Sequence, residues 1–418
     1  MLRQAQHHVL FFISLYSGTS LLSITGFKQL HILCSVNRMA VFNTPRQSEP
    51  GYPSKPVPLP AWQDNARHAW QQVDTLLAST ELEVYPPASL LGYGVYFYSA
   101  YTALGQEQYL AAAQRVYRSL VEYSPAPTAI KADQLSVVAW LQSKLSSTQT
   151  VSSQWTQQFD GSALFPENVS SHSRFWEAVR YLSQRLPNYQ AEVYLHWLLN
   201  QPRFLEYTTA GLRPLGLAGG RASELLLLLR LCRQGIEVPG LRQYIRAGIQ
   251  RILAVRRTVD FLAGEYSIFP DQLDEATGET TFSTELSWRY GDLTQVWLLY
   301  EAHELLQDAE LAKIAELVGL NTLLRTTSQA TNITSSQFDR GAAGLATLYR
   351  KMYQLSGHPA YQQGYHFWLN QTQQLMQPQL LTGSGLPAGD LRHGAVGVGL
   401  VLLSALTEQE LGWEELML

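Results

Sequence analysis

Apolar residues recur every three to four positions from residue 62 onward, the period of a helix with a buried face. Residues 62–77 form the first such block. Further blocks span 95–103, 108–121, 133–141, 175–185, 189–199, 222–231, 241–256, 293–306, 341–353 and 398–406. The run over 293–306 is so apolar that it reads as a fully buried helix. Short turns separate neighbouring blocks, so the pattern predicts helix, turn, helix, the αα-hairpin. Strand alternation is scarce, and 146–175 and 263–285 read as loops.

Glycines mark the starts of the buried blocks. They stand in Ser89-Leu90-Leu91-Gly92-Tyr93-Gly94, in Pro214-Leu215-Gly216-Leu217-Ala218-Gly219-Gly220, and in Trp288-Arg289-Tyr290-Gly291-Asp292. They return in Phe338-Asp339-Arg340-Gly341-Ala342-Ala343-Gly344 and in Arg392-His393-Gly394-Ala395-Val396-Gly397. Gly291, Gly341 and Gly394 follow one another at about 50 residues, the length of two helices and two loops. The block at 133–141 lacks these glycines and reads as an eroded copy. Hairpins of this kind cannot bury their apolar faces alone. Six of them are predicted to close into an all-α (α/α)6 toroid, with inner helices around an axis and outer helices packed on them. A glycine at the start of each inner helix lets crowded loops approach closely. The helix N-termini then present unpaired N–H groups to one mouth of the ring.

Composition narrows the function classes. The chain has 418 residues, 46% hydrophobic and 15% charged, enough for one large core or two ordinary ones. Net charge is −4, without a long run of either sign, so neither nucleic acid nor an anionic membrane is expected as a partner. The 22 Tyr and 10 Trp are read first as core, with the lining of a central cavity as the alternative. Cys34 and Cys232 make no disulfide framework and no Cys-rich metal site, and a reducing, cytoplasmic setting is expected. Residues 39–60 carry Pro45, Pro50, Pro53, Pro56, Pro58 and Pro60 and read as an extended linker, so the globular domain is placed at 61–418. Residues 1–38 are apolar but interrupted. A signal or anchor, an extra segment, and upstream sequence read through before a start at Met39 all stay open, and the last is preferred.

The glycine-bearing stretches resemble the lanthionine synthetase C-like family. That family carries Trp-Cys-Tyr-Gly-Asp in one repeat and Cys-His-Gly-x-Ala-Gly in the next, and the resemblance covers roughly residues 62–410. It implies a zinc held by two Cys and one His, which lowers the pKa of a peptide cysteine so that the thiolate adds to a dehydrated residue and closes a thioether ring. The frame is kept here and the ligands are not. Arg289 stands at the first Cys, and Asp339 and Arg340 stand at Cys-His. A His that the family has in the third repeat is replaced by Gly219, and an Arg four residues before the first Cys is Glu285. Guanidinium groups do not ligate metals, so no zinc or other cofactor is expected. The resemblance leaves Tyr290, Gly291 and Asp292 in place and aligns Asp133 with a catalytic acid.

Candidate catalytic residues are therefore Asp133 and Tyr290. Candidate binding residues are Glu285, Trp288, Arg289, Gly291, Asp292, Asp339, Arg340 and His393. Glu285 and Asp339 are expected to pair with Arg289 and Arg340 where the family has its metal. A new metal site from His393, Asp339 and Asp292 is the minor alternative. Three functional readings stay open, and with them whether the chain is an enzyme at all. The preferred one is a non-catalytic homologue in peptide modification that binds a precursor peptide or a maturation enzyme. The others are a thioether cyclase working without zinc, and a carbohydrate-active enzyme on a six-hairpin ring, with carboxylates as catalysts.

Overall fold

The computed structural model describes residues 61–79, 87–123, 132–145, 172–184, 189–200, 211–274, 276–381 and 389–417. The expectations for 1–38, for the Pro-rich stretch 39–60 and for most of the loop over 146–175 lie outside the described residues. Trp62–Leu418 forms one compact unit.

The helices are α1 (Ala61–Ala78), α2 (Pro87–Leu104), α3 (Glu107–Tyr123), α4 (Ala132–Leu145), α5 (His172–Ser183), α6 (Tyr189–Leu199), α7 (Arg221–Arg233) and α8 (Leu241–Ala254). They continue with α9 (Asp292–Leu306), α10 (Ala309–Thr322), the single turn α11 (Ser328–Thr331), α12 (Ala342–Ser356), α13 (Pro359–Leu381) and α14 (Ala395–Thr407). A 3₁₀ turn, Trp413–Met417, follows.

Helix contacts run α2 to α4, α5, α7, α9, α12 and α14, and α14 returns to α2. The circuit of these seven helices is closed, and the fold is the helical toroid expected from the repeats, with one inner helix more than six hairpins supply. Helix α5 joins the inner circuit between α4 and α7. Burial separates inner from outer members. Every residue of α9 from Asp292 to Ala302 is buried, as is every residue of α14 from Ala395 to Ala405. Outer α3 buries Tyr109, Ala113, Val116 and Leu120 on one face and exposes Gln108, Arg115 and Arg118 on the other.

Local chemistry sets the hairpin turns. Helix α9 ends on Gln307 in the left-handed region, φ 54°, and Asp308 then caps α10 by accepting the Glu310 N–H at 3.1 Å. Helix α12 ends on Gly357, φ 66°, two residues before Pro359 starts the next helix.

Two expectations need correction. The loop 263–285 contains strands β2 (Gln272–Asp274) and β3 (Thr280–Thr281), which with β1 (Leu212–Pro214) form an antiparallel sheet in the order β1-β2-β3. Asp274 Oδ1 accepts the N–H groups of Ala276 and Thr277 and tightens the turn between β2 and β3. Gly92 and Gly94 do not open a helix, because α2 already begins at Pro87. Gly92 instead allows a close approach: a Cβ there would collide with the Gly389 carbonyl oxygen. That contact brings the loop before α14 onto α2, where the ring closes.

Gly92→Ala is therefore expected to destabilise the protein by about 2 kcal/mol, as overpacking against backbone does. Urea denaturation measures it; a loss below about 0.5 kcal/mol would show that the ring closure yields freely.

Candidate functional site

Gly220, Gly291, Gly341 and Gly394 are the N-caps of α7, α9, α12 and α14. Gly291 has φ 99°, a conformation that side chains rarely adopt. The loops leading to these caps are joined by backbone hydrogen bonds. Leu217 N–H donates to Arg289 O at 3.0 Å, Arg289 N–H to Asp339 O at 3.1 Å, and Asp339 N–H to Arg392 O at 2.9 Å. Residues far apart in sequence thus stand side by side at one mouth of the ring.

The side chains there form a charged cluster. Arg289 Nε and Nη2 both lie 2.7 Å from Asp339 Oδ2. His393 Nε2 lies 3.3 Å from the same oxygen, and its Nδ1 lies 3.3 Å from Asp390 Oδ2. Asp390 also fixes the loop by accepting the N–H groups of Arg392 and His393 on Oδ1. Arg340 Nε lies 3.5 Å from Glu285 Oε1, an oxygen that also accepts the Ser287 hydroxyl at 2.7 Å. Tyr290 sits between the two arginines, with its ring 5.9 Å from the Arg289 guanidinium and 5.6 Å from that of Arg340. Ion pairs among the four residues are present, and the structure pairs Arg289 with Asp339 and Arg340 with Glu285. They differ in depth: Asp339 is buried with Arg289 partly covered, whereas the Arg340 side chain is 55% exposed. The second pair is weak on that account.

Asp339 is bound on one side only. Its Oδ2 collects the Arg289 and His393 contacts, while Oδ1 is buried without a hydrogen-bond partner. A buried carboxylate oxygen left so costs about 1–3 kcal/mol, which a ligand's O–H, S–H or N–H donor would recover.

Asp292 does not belong to this cluster. Its carboxylate accepts the N–H groups of Ile268 at 3.0 Å and Phe269 at 2.8 Å, and Arg325 Nη1 at 3.1 Å. Both side chains of the Asp292–Arg325 pair are fully buried. Burial pushes the Asp292 carboxyl up, against the pull of Arg325 and those N–H groups. Arg325 also donates to the carbonyls of Ala330 and Thr284. Asp292, expected as a binding residue or, with His393 and Asp339, as part of a metal site, ties the loop over 263–285 to the start of α9. Trp288 is buried against Phe338, ring centres 5.2 Å apart, with the Arg392 guanidinium 5.5 Å from its ring. It supports the cluster from below. Asp133 lies in the first turn of α4, and its side chain is outside the described residues. Arg325, Asp390 and Arg392 were not foreseen as parts of this region. The Asp three positions before His393 was the one signal available, since Asp readily accepts N–H groups two and three residues on.

The residues at the family's ligand positions do not fit zinc. Two are guanidinium groups, and the third, Asp339, is already engaged by one of them. Among the described residues no group of three or more His, Cys, Asp or Glu side chains is arranged to hold a metal ion.

A family model described as lanthionine synthetase C-like protein matches residues 177–418, more than half of the chain. The chain belongs to the lanthionine synthetase C-like family. Its fold is similar to that of a structure described as nisin cyclase, with a TM-score of 0.62 and 13% identity over 85% of this chain and 96% of that one. Weaker likenesses are to an alpha-1,6-mannanase, GH76A, from Salegentibacter sp. HEL1_6 (TM-score 0.41, 12% identity, 83% of this chain and 99% of that one). An unsaturated glucuronyl hydrolase specific for heparin gives a TM-score of 0.43 and 10% identity over 83% of this chain and 97% of that one. At those scores they carry no argument about substrate. No curated protein matches the sequence. No helix among the described residues is long and apolar enough to cross a membrane.

Beside the cluster, Asp271 is buried, and its Oδ1 has no hydrogen-bond partner. Burial pushes its carboxyl up to about 6, and Glu285 and Asp292 add to the rise. Because the folded value lies above the unfolded one, the native state favours the protonated acid. Stability is greatest below the unfolded value and falls as pH rises through the interval up to about 6. Asp271→Asn is expected to leave stability unchanged at pH 4 and to raise it by about 2 kcal/mol at pH 7.5. Thermal denaturation at the two pH values checks it; equal effects at both would rule out a titrating Asp271.

Proposed function

We propose that this protein is a non-catalytic member of its family in ribosomal peptide maturation, working without zinc. It binds a precursor peptide, or a partner enzyme carrying one, at the mouth of the ring. The observation that carries this reading is the Arg289–Asp339 pair, both contacts at 2.7 Å, standing where the family has metal ligands. The loop frame that displays those positions is retained, so the surface for a peptide persists while the group that activates a thiol does not. Arg289, Arg340 and Tyr290 offer cationic and aromatic contacts, and Asp339 Oδ1, once the peptide uncovers it, accepts a hydrogen bond from a Ser, Thr or Cys side chain.

One observation favours a second reading. An unpartnered carboxylate oxygen beside a guanidinium is a base next to a cation. In that case Asp339 Oδ1 takes the proton of a peptide Cys, and Arg289 stabilises the thiolate. The sulfur then bonds to the β-carbon of a dehydroalanine, whose double-bond electrons move to the α-carbon. Return of the proton to that carbon completes the addition with no other reactant.

A single peptide probe separates the two readings. A synthetic peptide containing Ser, Thr, Cys and dehydroalanine is expected to bind with a Kd of about 10 μM, weakened about tenfold by Arg289→Ala. Its free thiol, read by alkylation and mass spectrometry, should disappear no faster with protein than with buffer. Thiol loss that requires protein and is abolished in Asp339→Asn would establish the cyclase reading. Failure to bind at about 1 mM would reject both.

A further inference from the structure

The protein's own residues 408–417 pack against the inner helices α4, α7, α12 and α14, and so fill the bore of the ring. This segment leaves α14 through Glu408 in the left-handed region, φ 54°, and turns again at Gly412, φ 75°. Trp413 is almost fully buried. Its indole N–H donates to Ser404 Oγ at 3.0 Å, and its ring meets Phe338 edge-on at 5.5 Å. Leu416 and Met417 are buried beside it. The rest of the segment is acidic and faces basic residues of the inner helices. Glu415 lies 2.7 Å from Arg230 of α7, and Glu414 lies 3.8 Å from Arg350 of α12. Arg350 also donates to the Gln409 carbonyl at 2.8 Å. Beside the segment a cavity of about 270 Å³ remains, walled by Trp297, Glu301, Lys351 and Glu410 among others.

A segment serving only as core filler gains little from such charges. Apolar residues of similar volume fill a bore at least as stably as ion pairs do. The Glu415 side chain is 50% exposed and its pair with Arg230 is screened by salt. One buried aromatic anchor with a rim of weak, complementary charges is the anatomy of an interface between chains. The empty volume is lined by Gly412, Glu414, Glu415 and Met417 of the segment, where an incoming chain can start to exchange with it.

We propose that the bore is a docking site for an acidic peptide segment with an aromatic anchor, which residues 408–417 occupy as an internal mimic. The inference rests on the peptide-binding reading but places a second contact away from the mouth. It is tested on the full chain with a fluorescent synthetic peptide copying residues 408–417. The unaltered protein should bind this peptide weakly, and Glu414→Lys/Glu415→Lys about tenfold more tightly, because the internal competitor is loosened. Adding Arg230→Glu and Arg350→Glu should abolish that gain. A folded double variant that binds no better than the unaltered chain would overturn the proposal. Hydrogen exchange on the unaltered chain needs no variant. Residues 408–417 should exchange faster in 0.5 M than in about 0.05 M salt while α12 does not respond, and protection equal to that of α12 at both salts would also overturn it. Arg289→Ala should leave probe binding unchanged, so a failure at the mouth and a failure in the bore are distinguishable.

Discussion

The run of backbone hydrogen bonds from Leu217 to Arg289, Asp339 and Arg392 is the constraint on which the rest depends. An inner helix of a toroid has no polar face to orient it, since α9 and α14 are buried almost throughout. Packing alone would let such helices slide along the axis. The loop-to-loop bonds fix their height, and every side chain that leaves those loops inherits that register. This is why the N-caps are glycines: a Cβ at Gly341 or Gly220 would meet the backbone of its own loop. Chemistry at the mouth is thus free to change while the frame beneath it cannot.

Two ion pairs illustrate how differently the frame treats charge. Asp292 and Arg325 are fully buried, and their remaining hydrogen-bonding groups are taken up by loop backbone. Replacing one partner there would strand the other, whereas the pair itself adds little over an apolar match. Its gain is in position: it pins the strand-bearing loop to the start of α9. Arg289 and Asp339 sit higher, with one carboxylate oxygen unpartnered and the guanidinium partly open to solvent. The first pair is saturated and structural. The second is unsaturated, and unsaturation at a mouth is where a ligand gains most.

What the sequence discloses follows from the range of the interactions involved. Helices and hairpin turns depend on residues within a few positions, and their boundaries were readable to within a few residues, as for α6 and α9. The pairing of Arg289 with Asp339 spans 50 positions. It was readable only because the repeat sets the two in equivalent loops. Arg325 lies outside any repeat motif, in the connection between α10 and α11, and nothing local marks it as the partner of Asp292. Strands β2 and β3 are too short for alternation to show. Gly92 misled because a Gly-x-Gly pair resembles the helix starts elsewhere, while its actual role is a contact with Gly389 that only closure of the ring creates.

Filling of the bore bears on the mouth as well. Phe338 precedes Asp339 and Trp288 precedes Arg289, and the two rings pack together with Trp413 against Phe338. The aromatic floor of the charged pair is therefore built partly from residues 408–417. Movement of Trp413 would remove support from Phe338 first, and through the backbone from the Asp339 carboxylate next to it. Under the two proposals, a peptide long enough to reach both would meet an acceptor at one and a cationic wall at the other.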